Sequence, residues 1–80
     1  MNKAVFQEGV EDVGQTELDR VAEHLQYSLR SDVQSLRFHL RDGGIVLSGV
    51  AYSYYGKQLA QHLTIKVTRF RIVANEIRVM

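Results

Sequence analysis

The chain has 80 residues, 45% of them hydrophobic and 24% charged, with 10 Lys and Arg against 9 Asp and Glu. That length supports one compact domain, and the apolar fraction argues against disorder throughout. The absence of cysteine excludes a disulfide framework and a thiolate metal site.

No segment approaches the roughly 20 apolar residues that span a bilayer, and the N-terminus lacks an apolar run of signal-peptide length. The chain as written is therefore expected to be cytoplasmic and to have no transmembrane segment, with a periplasmic or envelope role only if a leader or partner is missing. A net charge of +1 hides a gradient. Residues 1–32 carry three basic and seven acidic side chains, and residues 33–80 carry seven basic and two acidic ones. Such asymmetry fits an anionic partner for the second half, or mutual attraction of two halves in the fold.

Residues 1–15 mix Gly9, Gly14 and charges with scattered apolar residues and read as a flexible N-terminal arm, with Val5 and Phe6 as its docking residues. A folded domain is expected over 16–80. Leu18, Val21, Ala22, Leu25 and Leu29 then recur at helical spacing and form one apolar stripe. Thr16 suits the N-cap of this helix and Arg30 its last turn.

At Leu36, Phe38 and Leu40 the period changes to two, with Arg37, His39 and Arg41 on the opposite face, as in a half-buried strand. Asp42, Gly43 and Gly44 supply the residues of a tight hairpin. A second strand follows, with Ile45, Leu47, Gly49 and Ala51 sharing a face. Gly49 is read as the site of close helix approach.

Ser53 suits the N-cap of a second helix, whose stripe is Leu59, Ala60, Leu63 and Val67. A last strand alternates Val73, Asn75, Ile77 and Val79 with Ile72, Ala74, Glu76 and Arg78. The expected fold is α+β, in the order αββαβ, with two helices packed on one face of a three-stranded sheet.

The run Ile45, Leu47, Ser48, Gly49 and Ala51, then Ala60, then Val73, Asn75, Ile77 and Val79, resembles the signature of the BON domain family, named for bacterial osmotically induced and nodulation proteins. The resemblance covers about residues 17–79. Where the family commonly has glycine-valine before its last strand, this chain has Arg69 and Phe70, so that connection is expected to differ. The resemblance implies the αββαβ fold and a non-catalytic role in binding phospholipid, envelope components or proteins.

Read for chemistry, Ser48 lies inside a strand, away from the strand-to-helix elbow that activates a nucleophile. His24, His39 and His62 fall on three different elements, so no metal site is expected. Gly43 and Gly44 join two strands, whereas phosphate cradles open a helix. The αββα segment is superficially like RNA-binding KH domains, but their GXXG loop is missing, so no nucleic acid is expected. Neither an enzyme nor a cofactor is expected. Asn75, one polar residue in an apolar row, reads as a structural amide that must find partners.

Two surfaces remain as candidates. Tyr52, Tyr54 and Tyr55 cluster at the β–α junction, where one tyrosine is expected to staple into the core. Tyr54 and Tyr55 with Lys57, Lys66, Arg69 and Arg71 form a candidate site for a partner or for anionic phospholipid. The outer sheet face carries the apolar residues Val46, Val50, Ile72 and Ala74, an expected self-association patch. The expected function is a non-enzymatic small module for protein contact or self-association, with peripheral binding of anionic phospholipid as the alternative.

Overall fold

A computed structural model describes the backbone of residues 3–80 and the side chains of residues 14–80. Helix α1 (Lys3–Ser28) is followed by β1 (Val33–Arg41), β2 (Gly44–Ala51), α2 (Tyr54–Val67), β3 (Ile72–Asn75) and β4 (Arg78–Val79). The α+β class and the helix and strand order match the sequence reading, but the sheet has four strands where three were expected. Backbone helix begins at Lys3, so Thr16 lies within α1 rather than at its cap. The side chains of Val5 and Phe6, the expected docking residues of the arm, lie outside the described ones.

Strand β2 is the centre of the sheet. It pairs antiparallel with β1 and parallel with both β3 and β4, which lie end to end along its other edge. The core gathers between this sheet and the helices. Leu18, Ala22, Leu25 and Leu29 of α1 meet Val33, Leu36, Phe38, Ile45, Leu47, Ala51, Ala60 and Ile77, all buried. Val21 packs at the margin, so the stripe read from the sequence is the face that α1 buries.

The hairpin turn follows from Asp42 and Gly43, both at positive φ (51° and 78°). Two such residues make the turn whose twist matches that of the paired strands, and Asp-Gly suits it. Farther along the ladder the register shifts: Gln34 faces Val50 and Arg37 faces Ser48, leaving two β1 residues opposite Gly49. This β-bulge places Ser35 at φ 60° and lets Val33 and Leu36, three apart, both reach the core. Gly49 itself has φ 143°, and a Cβ there would stand 3.0 Å from the carbonyl oxygens of Gln34 and Ser35. Its role is thus close approach of the neighbouring strand, not of a helix.

Ser53 caps α2 as expected, its hydroxyl accepting from Gly56 N–H at 3.2 Å. The buried stripe of α2 is Gly56, Ala60 and Thr64, flanked by half-buried Leu59 and Leu63, while Val67 is exposed. Small residues let this helix sit close. A Cβ on Gly56 would meet Asp32 O at 2.7 Å, and buried Thr64 satisfies its hydroxyl on Ala60 O at 2.7 Å.

The expected last strand breaks after Asn75. Asn75 Oδ1 accepts from Ile77 N–H at 3.1 Å, and its Nδ2 donates to Lys57 O and Gln61 Oε1, both at 3.1 Å. The amide therefore ties the strand break to α2, which is the structural role read from the sequence. Ile77 turns into the core, and pairing resumes at Arg78 opposite Val50.

Candidate functional site

The turn after α1, the end of β2, the start of α2 and strand β4 meet at one end of the molecule. Tyr52 N–H donates to Asp32 O at 3.0 Å, Gly56 packs on Asp32, and Met80 N–H donates to Ala51 O at 2.9 Å. All four tyrosines of the chain are at this end: Tyr27 is 68% exposed, Tyr52 49%, Tyr54 64% and Tyr55 66%. Val79 and Met80 are exposed beside them. None of the tyrosines staples into the core, contrary to expectation, because Gly56 and the backbone of Asp32 already fill that junction. Three of the rings are nevertheless tethered. Tyr52 Oη donates to Gln34 Oε1 at 2.8 Å, Tyr54 Oη accepts from Gln58, and the Arg30 guanidinium stands 4.3 Å from the Tyr27 ring centroid.

Tyr27 and Met80 were not singled out from the sequence, and Val79 was read only as a residue of the last strand and its motif. The signal was available: β1 starts just after α1 and runs antiparallel to β2, so the end of α1 must lie beside the end of β2.

The six residues proposed as one patch do not form one. Tyr54, Tyr55 and Lys57 open α2, whereas Lys66 closes it, about 18 Å farther along the axis at 1.5 Å per residue. Arg69 and Arg71 follow in the α2–β3 connection, at the hairpin end of the sheet, where an Arg71 nitrogen reaches Asp42 O at 3.5 Å. There, Arg69, Phe70 and Arg71 with Val67 and Glu17 line an open cleft of about 640 Å³. The exposed aliphatics Ile65 and Val67 flank Lys66.

The outer sheet face also departs from the expectation of exposed Val46, Val50, Ile72 and Ala74. Val46 is only 3% exposed. It sits between His39 and Ala74 in the ladder, and the ion pair of Arg41 with Glu76 (2.8 Å) crosses β2 at its level. Glu76 holds the Arg41 guanidinium still further into its protonated range, chiefly through their hydrogen bond. A register shift between Ile45 and Val46 sets Ile72 opposite Ile45, where it packs on the core. Val50 and Ala74 are half-buried, so these four residues form no broad apolar patch on the sheet face.

Ser48 Oγ lies 3.4 Å from His39 Nε2, a diagonal contact across the open ladder between β1 and β2. That distance is at the outer limit of hydrogen bonding, and Ser48 is an ordinary strand residue. His24, His39 and His62 are all exposed and lie on separate elements. Among the described residues no cluster of three His, Asp or Glu side chains has metal-binding geometry, and no helix is long and apolar enough to cross a membrane. Comparisons with family models, with curated proteins and with solved structures gave no match.

Proposed function

We propose that the chain is a small, non-enzymatic binding module of BON type that makes protein contacts through its tyrosine end. The observation that carries this reading is the convergence of all four exposed tyrosines on one pinned junction. Tyrosine supplies large contact area at low entropic cost and is enriched where binding energy concentrates. The BON-type assignment is supported by the order of the elements and by the motif residues Gly49, Ala60 and Asn75, each used for close packing or strand ties. Self-association through the sheet face has less support, since Val46 is closed off and Ile72 faces the core.

Peripheral binding to anionic phospholipid is the second reading. It is favoured by Lys66, Arg69 and Arg71 with exposed Ile65 and Val67 at the far end of α2. Each cation near such a surface contributes about 1 kcal/mol. One experiment separates the two readings. Tyr54→Ser with Tyr55→Ser, and separately Lys66→Gln with Arg69→Gln and Arg71→Gln, are compared with the unaltered chain in two assays: the size of its native complex, and flotation with anionic vesicles. The protein-contact reading predicts that only the tyrosine pair shrinks the complex. Loss of flotation in the cation variant, with the complex unchanged in both, would favour lipid instead.

A further inference from the structure

The outward side of edge strand β1 is occupied in an unusual way. Gln26 Nε2 donates to Val33 O at 2.7 Å, and Gln26 Oε1 accepts from Leu36 N–H at 2.7 Å. Gln15 Nε2 donates to Phe38 O at 3.2 Å. These two α1 amides do what the peptide groups of a neighbouring strand would do. The N–H and C=O of one strand residue point to the same side, so the Phe38 N–H and both backbone groups of Leu40 belong to the same outward row. A row of this kind is a template for another chain.

Between α1 and this edge runs an open groove of about 770 Å³, with Tyr52 and Arg30 lining its tyrosine end. Its walls differ in charge: Asp19 and Glu23 line it from α1, Arg37 and His39 from β1. A second copy fits this poorly. Antiparallel pairing of β1 with its own copy about a two-fold axis would set Arg37 near Arg37 and the acidic wall near its equivalent, and like charges at such distances repel.

We infer that the groove takes an extended segment of a partner protein, added to β1 as a further strand, with basic side chains toward Asp19 and Glu23 and acidic ones toward Arg37 and His39. This deepens the protein-contact reading and rests on it. The segment enters beside Tyr52 and takes up the Phe38 and Leu40 positions, displacing the Gln15 amide. Backbone pairing gives affinity in this mode, and alternate side chains give selectivity.

The test uses the full chain, isotopically labelled, at low salt. The probe is a capped ten-residue peptide of alternating lysine and glutamate; a block peptide of the same composition is the control. Two N-methylated analogues carry methyls on all lysine nitrogens or on all glutamate nitrogens. The alternating peptide is expected to shift the Phe38 and Leu40 amides saturably and to bind about tenfold or more tighter than the block peptide. One N-methylated analogue should lose binding while the other keeps it, since a strand offers alternate residues to its two edges. Asp19→Asn and Glu23→Gln should each weaken binding about two- to fivefold.

Equal binding by both N-methylated analogues, or no shift at Phe38 and Leu40 with any peptide, would overturn the inference. Shifts confined to Tyr52–Lys57 would do the same while leaving contact at the tyrosine end intact. Concentration-dependent dimerisation that shifts the β1 amides would assign the edge to a second copy.

Discussion

At the N-terminal end of α2 the exposed rings stand on backbone held from several sides. Asp32 O takes the Tyr52 N–H, Gly56 closes on Asp32, Ser53 caps the helix and Gln26 holds the start of β1. At the C-terminal end of the same helix Lys66, Arg69 and Arg71 are exposed on long side chains, with one 3.5 Å contact from Arg71 to Asp42 O. The first arrangement is preorganised, so ordering cost on contact is low and a shaped partner is rewarded. The second carries its charge on long side chains, which attracts anions at range and is screened by salt.

The same contrast appears in the glycines that support the two ends. Gly49→Val should be the most damaging change, lowering stability by about 3 kcal/mol. It forces a side chain onto φ 143° and against two carbonyl oxygens. Denaturant unfolding measures this, and a loss below about 1 kcal/mol would mean that the bulge is soft. Gln26→Ala comes next, at about 2 kcal/mol, because it leaves Val33 O and Leu36 N–H without their partners. It should also raise hydrogen exchange at Leu36 selectively. Gly43→Ala, in the hairpin turn at the other end, should cost only about 1 kcal/mol. Its φ of 78° is disfavoured for alanine, but nothing lies within 4 Å of the added Cβ.

The smallest expected changes sharpen the functional side of the comparison. Tyr54→Ser with Tyr55→Ser should leave the midpoint of unfolding nearly unchanged, within about 0.5 kcal/mol per site. The same pair should weaken association with the partner by about 2 kcal/mol or more, roughly 30-fold, read by titration calorimetry once the partner is in hand. A loss of stability matching the loss of association would make these rings structural.

Local signals carried much of the fold. The stripe of α1, the Asp42–Gly43 turn and the Ser53 cap depend on residues within a few positions of one another, and each is where its pattern put it. What failed depends on distant partners. The bulge at Ser35 needs Gly49 across the ladder, and the strand break needs α2 to receive the Asn75 amide. A parity count carried back from Ile77 through the strand break, and blind to the register shift between Ile45 and Val46, put Ile72 on the wrong face. Gly56 and Thr64 escaped notice because a small or polar residue in a stripe reads as a gap until the close packing of α2 is seen.

The candidate site was legible in the same uneven way. Three tyrosines within four positions announce themselves, whereas Tyr27 joins them only through the turn that returns β1 beside β2. The basic residues were grouped with the tyrosines by nearness in sequence, and the length of α2 separates them.

The most direct measurement is site-specific photocrosslinking in the cells that make the protein, with benzoylphenylalanine placed at Tyr54 and, in a second variant, at Arg69. Adducts are separated into protein and lipid by mass spectrometry. The account predicts a discrete protein adduct at Tyr54 that is absent or much weaker at Arg69. Lipid adducts at Arg69 with no protein adduct at Tyr54 would contradict it.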